Sequence, residues 1–237
     1  MEPPDPKRFR GPSLKSGQLI IFDWDDTLLA TTALRRENFV PRQPQTPPRP
    51  PQDITPEMKT ALETLGEEVV LTLNLSRDLG TVMIITNGSQ DWVDVSCRSF
   101  LPACYEDVRS IPKISAKKRG KHFSNDPLQW KRVTFLQETL TYFADSELGD
   151  SSSLSILSVG DSNHERISTF ELAPLFPNHQ LKSIHMLRVP TIEDLILQHR
   201  LLRRLLPKAI KYCDERTFRL DLMMDTGDHT QRALLFH

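Results

Sequence analysis

The chain has 237 residues, a hydrophobic fraction of 38%, a charged fraction of 26% and a formal net charge of −1. These values are typical of one folded domain with tails, and they exclude a largely disordered chain. The near-zero charge disfavours a nucleic-acid binder that relies on a broad positive field, and no apolar stretch approaches membrane-spanning length.

Cysteine usage and the N-terminus bear on location. Cys97, Cys104 and Cys213 form neither a metal-type cluster nor an even disulfide set. The first residues lack the apolar core of a signal peptide. We therefore expect a reducing, cytoplasmic environment. The short basic cluster at residues 7–10 leaves a nuclear location open.

The first predicted element is a buried strand. Residues 1–16 are rich in proline and charge, which predicts a flexible leader, and the apolar run Leu19–Phe22 follows. That run ends in Asp23, Asp25 and Thr27. If the strand geometry persists, the two aspartates project to one side of its tip, and crowded carboxylates there suit Mg²⁺. An acidic turn after a core strand is the alternative.

A proline-dense segment and a helix come next. The prolines of residues 41–56 disfavour helix and predict an extended surface loop, whose P-x-x-P spacing also permits docking to an aromatic groove. Thr55 and Pro56 then open a helix that carries apolar residues at helical spacing toward Leu79 and Gly80.

The remaining elements follow in alternation. The predicted strands cover residues 81–85, 108–114, 154–159 and 181–187. The predicted helices cover residues 92–100, 129–143 and 191–206, the last stopped by Pro207, and residues 115–127 are predicted to be a basic loop. The apolar stripe of the helix at 129–143 is predicted to be Val133, Leu136, Leu140 and Phe143.

Strands that alternate with helices predict an α/β fold, a mainly parallel sheet covered on both faces. Ligands of such sheets bind at the carboxyl ends of the strands. Three predicted strands end in polar residues that suit a phosphate and metal site, at Asp23, at Thr86-Asn87-Gly88 and at Gly160-Asp161. We assign residues 17–213 to one domain and residues 214–237 to a C-terminal extension.

These motifs resemble the haloacid dehalogenase (HAD) superfamily, whose fold is a Rossmann-like three-layer sandwich. Asp23, Asp25 and Thr27 match its Asp-x-Asp-x-Thr motif, and Thr86 matches the Thr or Ser that closes its second motif strand. Lys131 matches the motif lysine at the start of a helix. Asp161 matches the acid of the fourth motif, and Glu165 stands where a second aspartate is commoner. Order and spacing agree from Leu19 to Glu165.

The resemblance implies a role for each residue. Asp23 would be the nucleophile that forms an aspartyl-phosphate, and Asp25 the general acid and base. Asp23, Asp161 and the backbone carbonyl of Asp25 would bind Mg²⁺. Thr86, Asn87 and the backbone amides around Gly88 would hold phosphoryl oxygens, and Lys131 would offset negative charge.

Several assignments stay open at this point. Lys113, Lys117 and Lys118 compete with Lys131 for the role of motif lysine. Glu165 could reach the metal through water, orient Lys131 or cap a helix. Asp26 is expected to face solvent, Trp24 to pack in the core, and His164 to lie in a surface loop.

The expected function is Mg²⁺-dependent hydrolysis of a phosphomonoester. The gaps between motifs are too short for a large cap domain, which predicts an open site and a bulky substrate such as a phosphoprotein. Nucleic acid would serve only as a terminal-phosphate substrate. The alternative is a non-catalytic HAD-like protein that docks partners through its proline-rich loop or its basic C-terminal helix, the latter carrying Arg200, Arg203, Arg204, Lys208 and Lys211.

Overall fold

The computed structural model describes residues 17–41, 49–145, 155–212, 216–224 and 231–236. The predicted leader, residues 42–48 of the proline-rich loop, Cys213, and residues 214–215, 225–230 and 237 of the C-terminal extension lie outside these ranges. Within the described ranges, no helix has the length and apolar character needed to cross a membrane.

The strands form one sheet. In chain order they are β1 (Gln18–Phe22), β2 (Thr81–Thr86), β3 (Lys113–Ser115), β4 (Ser155–Gly160), β5 (Gln180–His185), β6 (Thr217–Met224) and β7 (Gln231–Phe236). Their order across the sheet is β3-β2-β1-β4-β5-β6-β7. All neighbouring pairs are parallel except β6 with β7, which is antiparallel.

Helices cover both faces of the sheet. They are α1 (Thr31–Arg36), α2 (Pro56–Leu79), α3 (Gln90–Phe100), α4 (Tyr105–Arg109), α5 (Ala116–Gly120), α6 (Pro127–Asp145), α7 (Asn163–Phe170) and α8 (Ile192–Lys211). Ile20 and Phe22 of β1 pack on the side of α2, α3 and α8. Leu19 and Ile21 pack on the side of α5, α6 and α7. The prediction of an α/β three-layer sandwich is therefore confirmed, and the continuous apolar run of β1 follows from burial on both faces.

The segments that link β1, β2 and β3 contain helices α1 to α4 and turns that pack on the core. In the described part of these segments, residues 23–41, 49–80 and 87–112, no separate cap domain is present. Helix α2 begins as predicted, with Thr55 Oγ1 accepting a hydrogen bond from the N–H of Met58 at 3.3 Å. A short 3₁₀ turn at Pro51–Asp53 interrupts the loop that was predicted to be extended throughout.

The predicted strand at residues 108–114 and the loop at 115–127 were partly wrong. Val108 and Ile111 are both buried, but they belong to a helical turn whose Ile111 N–H donates to the Val108 carbonyl at 3.2 Å. The strand itself is limited to Lys113–Ser115. Ser115 then caps α5 by accepting from the N–H of Lys118 at 3.1 Å, so the basic segment begins as a helix.

The apolar stripe predicted for α6 is confirmed only in part, since Leu136 and Phe143 pack against the core but the most deeply buried positions are others. Leu140 is 51% exposed, whereas Lys131, Thr134 and Phe135 are fully buried. Part of this inner face is polar: Thr134 Oγ1 donates to the Trp130 carbonyl at 2.8 Å, whereas the buried Thr139 Oγ1 has no partner among the described residues. A hydrophobic pattern alone could not identify such a face.

Helix α8 does not stop at Pro207 but continues to Lys211. Proline removes one backbone donor, yet Leu206 and Ala209 on either side of it are buried in the core, which holds the last turn in place. The buried Lys182 of β5 also donates to the Ile210 carbonyl at 2.6 Å, satisfying one of the free carbonyls at the helix end.

Strands β6 and β7 were not predicted. The signal for β6 was present, because Phe218, Leu220 and Leu222 are buried and alternate with Arg219 and Asp221. The cysteines were also less scattered than the sequence suggested, since Cys97 and Cys104 are buried free thiols whose Sγ atoms lie 3.6 Å apart.

Candidate functional site

The end of β1 forms a tight turn that presents the acidic motif. The Asp23 N–H extends the strand ladder by donating to the Val159 carbonyl at 2.9 Å. The Trp24 carbonyl then accepts from the N–H groups of Leu28 and Leu29 at 2.9 and 3.1 Å. Trp24 is fully buried, and its indole donates to Ser96 Oγ at 3.0 Å, so packing is its role, as expected.

A buried histidine supports this turn from behind. His199 of α8 is fully buried, and its Nε2 lies 3.1 Å from the Thr27 carbonyl. Because a carbonyl only accepts, Nε2 carries a proton there. The other ring nitrogen lies 3.0 Å from Thr72 Oγ1 of α2. Burial lowers the pKa of His199 to about 4, so the ring is neutral near pH 7.

Lys131 lies at the centre of the candidate site. It is fully buried, and its Nζ lies 2.8 Å from Asp23 Oδ1 and 2.9 Å from Glu165 Oε1. It also donates to the Ile85 carbonyl, next to Thr86. One ammonium thus joins the ends of β1 and β2 to α7, although 108 residues separate Lys131 from Asp23 in sequence.

The two carboxylates that share Lys131 differ in their protonation behaviour. Burial raises the pKa of Asp23, an effect that Lys131 opposes and that Glu165 and Asp25 reinforce. Burial acts in the same direction on Glu165, but Lys131 and a hydrogen bond from Ser162 outweigh it and lower the pKa of Glu165. Burial lowers the pKa of Lys131, but the two acids outweigh it and raise that pKa overall. Lys131 therefore favours the ionised form of both carboxylates, while burial and the neighbouring acids oppose ionisation of Asp23.

Asp25 is positioned by two donors that the sequence did not reveal. Its Oδ1 accepts hydrogen bonds from Thr31 Oγ1 at 2.6 Å and from Trp92 Nε1 at 2.9 Å. Both donors come from helices, α1 and α3, that flank the strand ends. The Trp92 contact spans 67 residues, so no local pattern could have indicated it.

Asp26 does not face solvent as predicted. It is only 8% exposed, because its positive φ of 55° turns the side chain inward. Its carboxylate accepts from the N–H of Thr32 at 2.7 Å and from the Thr32 hydroxyl. Asp26 therefore fastens α1 to the acidic turn and acts as a structural residue.

The second motif loop has one residue whose role differs from the expectation. Thr86 is fully buried at the end of β2, and its Oγ1 accepts from the Gly88 N–H at 2.9 Å. That amide is thus engaged within the loop, contrary to the prediction that it holds phosphate. A Cβ on Gly88 would lie 2.9 Å from Trp92 Cδ1, so only glycine fits beside this ring. The Asn87 Oδ1 atom is buried and has no partner among the described residues.

Asp161 and Glu165 occupy the end of β4. A Cβ on Gly160 would lie 2.6 Å from Glu165 Cγ, so the glycine of the fourth motif makes room for the Glu165 side chain. Asp161 has no hydrogen bond or ion pair with any residue that the structure describes. Burial, followed by the charges of Asp23, Glu165 and Asp26, raises the pKa of Asp161 to about 8.

The donor set has an excess of negative charge that fits a divalent cation. Asp23 and Glu165 share the single ammonium of Lys131, the charge of Asp25 acts on Asp23, and the pKa values of Asp23 and Asp161 are raised. No cluster of three or more metal-ligating side chains occurs in the described ranges. Two carboxylates, with backbone carbonyl, water and phosphate oxygens in the remaining positions, match the way proteins usually hold Mg²⁺.

The competing lysines lie elsewhere. Lys113 forms an ion pair with Asp94 at 3.2 Å and donates to the Val108 carbonyl, so it fastens α4 to α3. Lys117 lies over the ring of Trp130, 5.8 Å from its centroid, and Lys118 is exposed on α5. His164 is half-buried in the first turn of α7, where its N–H donates to Ser162 Oγ at 3.1 Å. Of the four candidate lysines, only Lys131 contacts the acids.

Comparisons with models of protein families, with curated proteins and with solved structures give no match to this chain.

Proposed function

We propose that this chain is a Mg²⁺-dependent phosphohydrolase of the HAD type that cleaves a phosphomonoester through an aspartyl-phosphate on Asp23. The observation that carries the proposal is the buried Asp23–Lys131–Glu165 cluster, with Asp25 and Asp161 beside it, at the carboxyl ends of β1 and β4. A buried, net negative cluster at this edge is costly to a fold, which favours a functional reason for keeping it.

Each residue has a defined task in this reaction. Asp23 attacks phosphorus and expels the alkoxide leaving group, and Lys131 offsets charge on the nucleophile and the transferred group. Asp25, held by Trp92 and Thr31, donates a proton to the leaving oxygen and later accepts one from the water that hydrolyses the aspartyl-phosphate. The hydroxyl proton of Thr86 is free to donate to a phosphoryl oxygen, since Oγ1 acts only as an acceptor within the described residues.

Asp23 and Asp161 are the side chains suited to hold the metal. Bound Mg²⁺ would neutralise carboxylate and phosphoryl charge and so favour the ionised nucleophile. Glu165 contacts Lys131 and Ser162, which gives it the task of orienting the lysine. Of the three options left open by the sequence, this one has direct geometric support.

The docking alternative has weaker support. Arg200 and Arg203, two of the five basic residues of α8 proposed as a docking surface, form ion pairs with Glu68 of α2 at the helix interface. Their charge is thus used to join two helices. Residues 42–48 of the proline-rich loop lie outside the described ranges, and no observation on its described residues indicates a partner.

The test is hydrolysis of an aryl phosphate by the wild type and Asp23→Asn, with and without Mg²⁺. We expect Mg²⁺-dependent turnover by the wild type and a loss of more than about a thousandfold in the variant. Asp91→Asn, which changes an exposed carboxylate in the first turn of α3, is the matched control and should retain full activity. Wild-type turnover by Asp23→Asn would rule out the assigned nucleophile.

A further inference from the structure

A cleft of about 400 Å³ opens at the carboxyl ends of β5 and β6, beside the candidate active site. Met186, Leu187 and Leu222 give it apolar walls, and Asn163, His185 and Arg188 add polar groups. The volume lies within the range of small-molecule sites, which are mostly apolar with a few placed polar groups. The acid cluster described above makes no use of these side chains.

The cleft contains an uncompensated positive charge. Arg166 and Asp221, which also line it, neutralise each other through an ion pair of 2.6 Å. Arg188 is exposed and has no hydrogen bond or ion pair to the residues that the structure describes. The Nε2 atom of His185 is buried and likewise lacks a partner within those ranges. The other ring nitrogen of His185, Nδ1, lies 3.6 Å from Asp221 Oδ1, so the group that suits an anion in this cleft is the Arg188 guanidinium.

The loop that carries Arg188 is held in a costly conformation. Val189 has a φ of 58°, a left-handed value that β-branched residues rarely adopt. The loop is anchored by the Met186 N–H, which donates to the Gly160 carbonyl, and by the Leu187 N–H, which donates to Gln198 Oε1, both at 2.8 Å. Arg188 is therefore presented by a fixed backbone, which reduces the entropy lost when a ligand binds.

The sheet register fixes where the cleft lies relative to the acids. Gly160 pairs with His185, so Asp161 and the cleft loop leave neighbouring strands at the same level. Strands β1, β4 and β5 are consecutive in the sheet. With neighbouring strands about 4.8 Å apart, the end of β5 lies roughly 10 Å from the end of β1, where Asp23 is located.

We propose that this cleft binds the leaving group of the substrate, and that the leaving group has an apolar segment and a second anionic group, separated from the reacting phosphorus by a distance comparable to the roughly 10 Å between the two strand ends. The proposal rests on the phosphohydrolase function proposed above. Arg188 binds the second anion, a phosphate or a carboxylate, and the apolar walls contact the segment between the two charges. Arg188 thereby selects substrates with two anionic ends over simple monoesters.

The experiment measures kcat/KM for α,ω-alkanediol bisphosphates of increasing chain length and for the matching monophosphates. We expect a maximum at the length that spans the two sites, where the bisphosphate exceeds its monophosphate by about 10- to 100-fold in kcat/KM. Arg188→Gln should bring that ratio close to one and leave the monophosphates unchanged. The same series with a terminal carboxylate distinguishes the two kinds of second anion.

Arg204→Gln is the matched control, because Arg204 is an exposed arginine of α8 that does not line the cleft and lies about 9 Å along the helix axis from Gln198, which contacts the cleft loop. Arg204→Gln should keep the wild-type ratio of kcat/KM for the bisphosphate to kcat/KM for the matching monophosphate. A ratio that Arg188→Gln leaves unchanged, or an equal loss on both substrate types, would overturn the cleft assignment while leaving the phosphatase standing. Absence of turnover on every phosphate ester would instead contradict the proposed function itself.

Discussion

Replacing Lys131 by methionine removes the only cation that contacts Asp23 and Glu165 in the described part of the chain. Methionine has a similar length and keeps the apolar stem in the core, so the main change is electrostatic. Two carboxylates, 8% and 2% exposed, then face each other without a counter-charge. Breaking a buried ion pair from one side typically costs about 3–5 kcal/mol.

For a chain of this size, that loss corresponds to a decrease in Tm of about 6–20 °C. The decrease should depend on pH, with a sign that follows from linkage. Without the ammonium, the folded-state pKa of Glu165 rises above that of the unfolded chain, and the pKa of Asp23, which burial already raises in the wild type, rises further. The unfolded state then releases protons first, so the variant loses stability as the pH rises above about 4.

The assay is thermal unfolding between pH 4 and 8 in the presence of a chelator. Lys118→Met makes the same chemical change at an exposed lysine of α5 and should alter the free energy of unfolding by less than about 0.5 kcal/mol. Adding Glu165→Gln to Lys131→Met removes one of the two unpaired charges and should restore part of the stability at pH 8. The reasoning is refuted if Lys131→Met unfolds at the wild-type temperature, or if its deficit is the same at pH 4 and pH 8.

Three further changes probe the surroundings of the cluster. Gly160→Ala places a Cβ 2.6 Å from Glu165 Cγ, and chemical denaturation should show a loss of about 1–3 kcal/mol in the free energy of unfolding. Gly66→Ala is the control: its Cβ would lie 3.5 Å from the nearest neighbour, so the substitution should be neutral or stabilising. Burial lowers the pKa of His199 from 6.5 to about 4. The neutral ring therefore contributes fully to the free energy of unfolding above pH 6.5, and this contribution is lost as the pH falls to about 4. Wild type should therefore lose about 3 kcal/mol more than His199→Gln across that window, and parallel pH profiles would contradict this. Trp92→Phe removes a hydrogen-bond donor to Asp25 and should lower kcat on an aryl phosphate about tenfold. Trp130→Phe removes a hydrogen bond to the Ser124 carbonyl, away from the acids, and should leave kcat unchanged.

Much of the fold and the acid cluster could be predicted because their signals are local. The run Leu19–Phe22 is buried on both faces and is therefore continuously apolar, and the polar residues that matter follow directly after it. Parallel strands bring their carboxyl ends to one edge, so Asp23, Thr86 and Asp161 were expected to meet without knowledge of the packing. Lys131 was identified by its place near the start of a helix.

The residues that were missed depend on contacts between distant segments. Trp92 reaches Asp25 only because α3 packs beside the end of β1, and nothing in the helix sequence distinguishes it from a core tryptophan. Asp26 was misplaced because its inward orientation follows from a positive φ, a backbone state that a non-glycine residue adopts infrequently. Such features are properties of the folded turn and leave little trace in composition.

The error on α6 and the success with Lys131 have one cause. A rule that buries apolar residues and exposes polar ones assigned Leu140 to the core, where it is 51% exposed. The same rule would have placed Lys131 in solvent, yet it is fully buried because Asp23 and Glu165 pair with it. Burial at this position is thus set by charge pairing, which the sequence could indicate only through the spacing of its motifs.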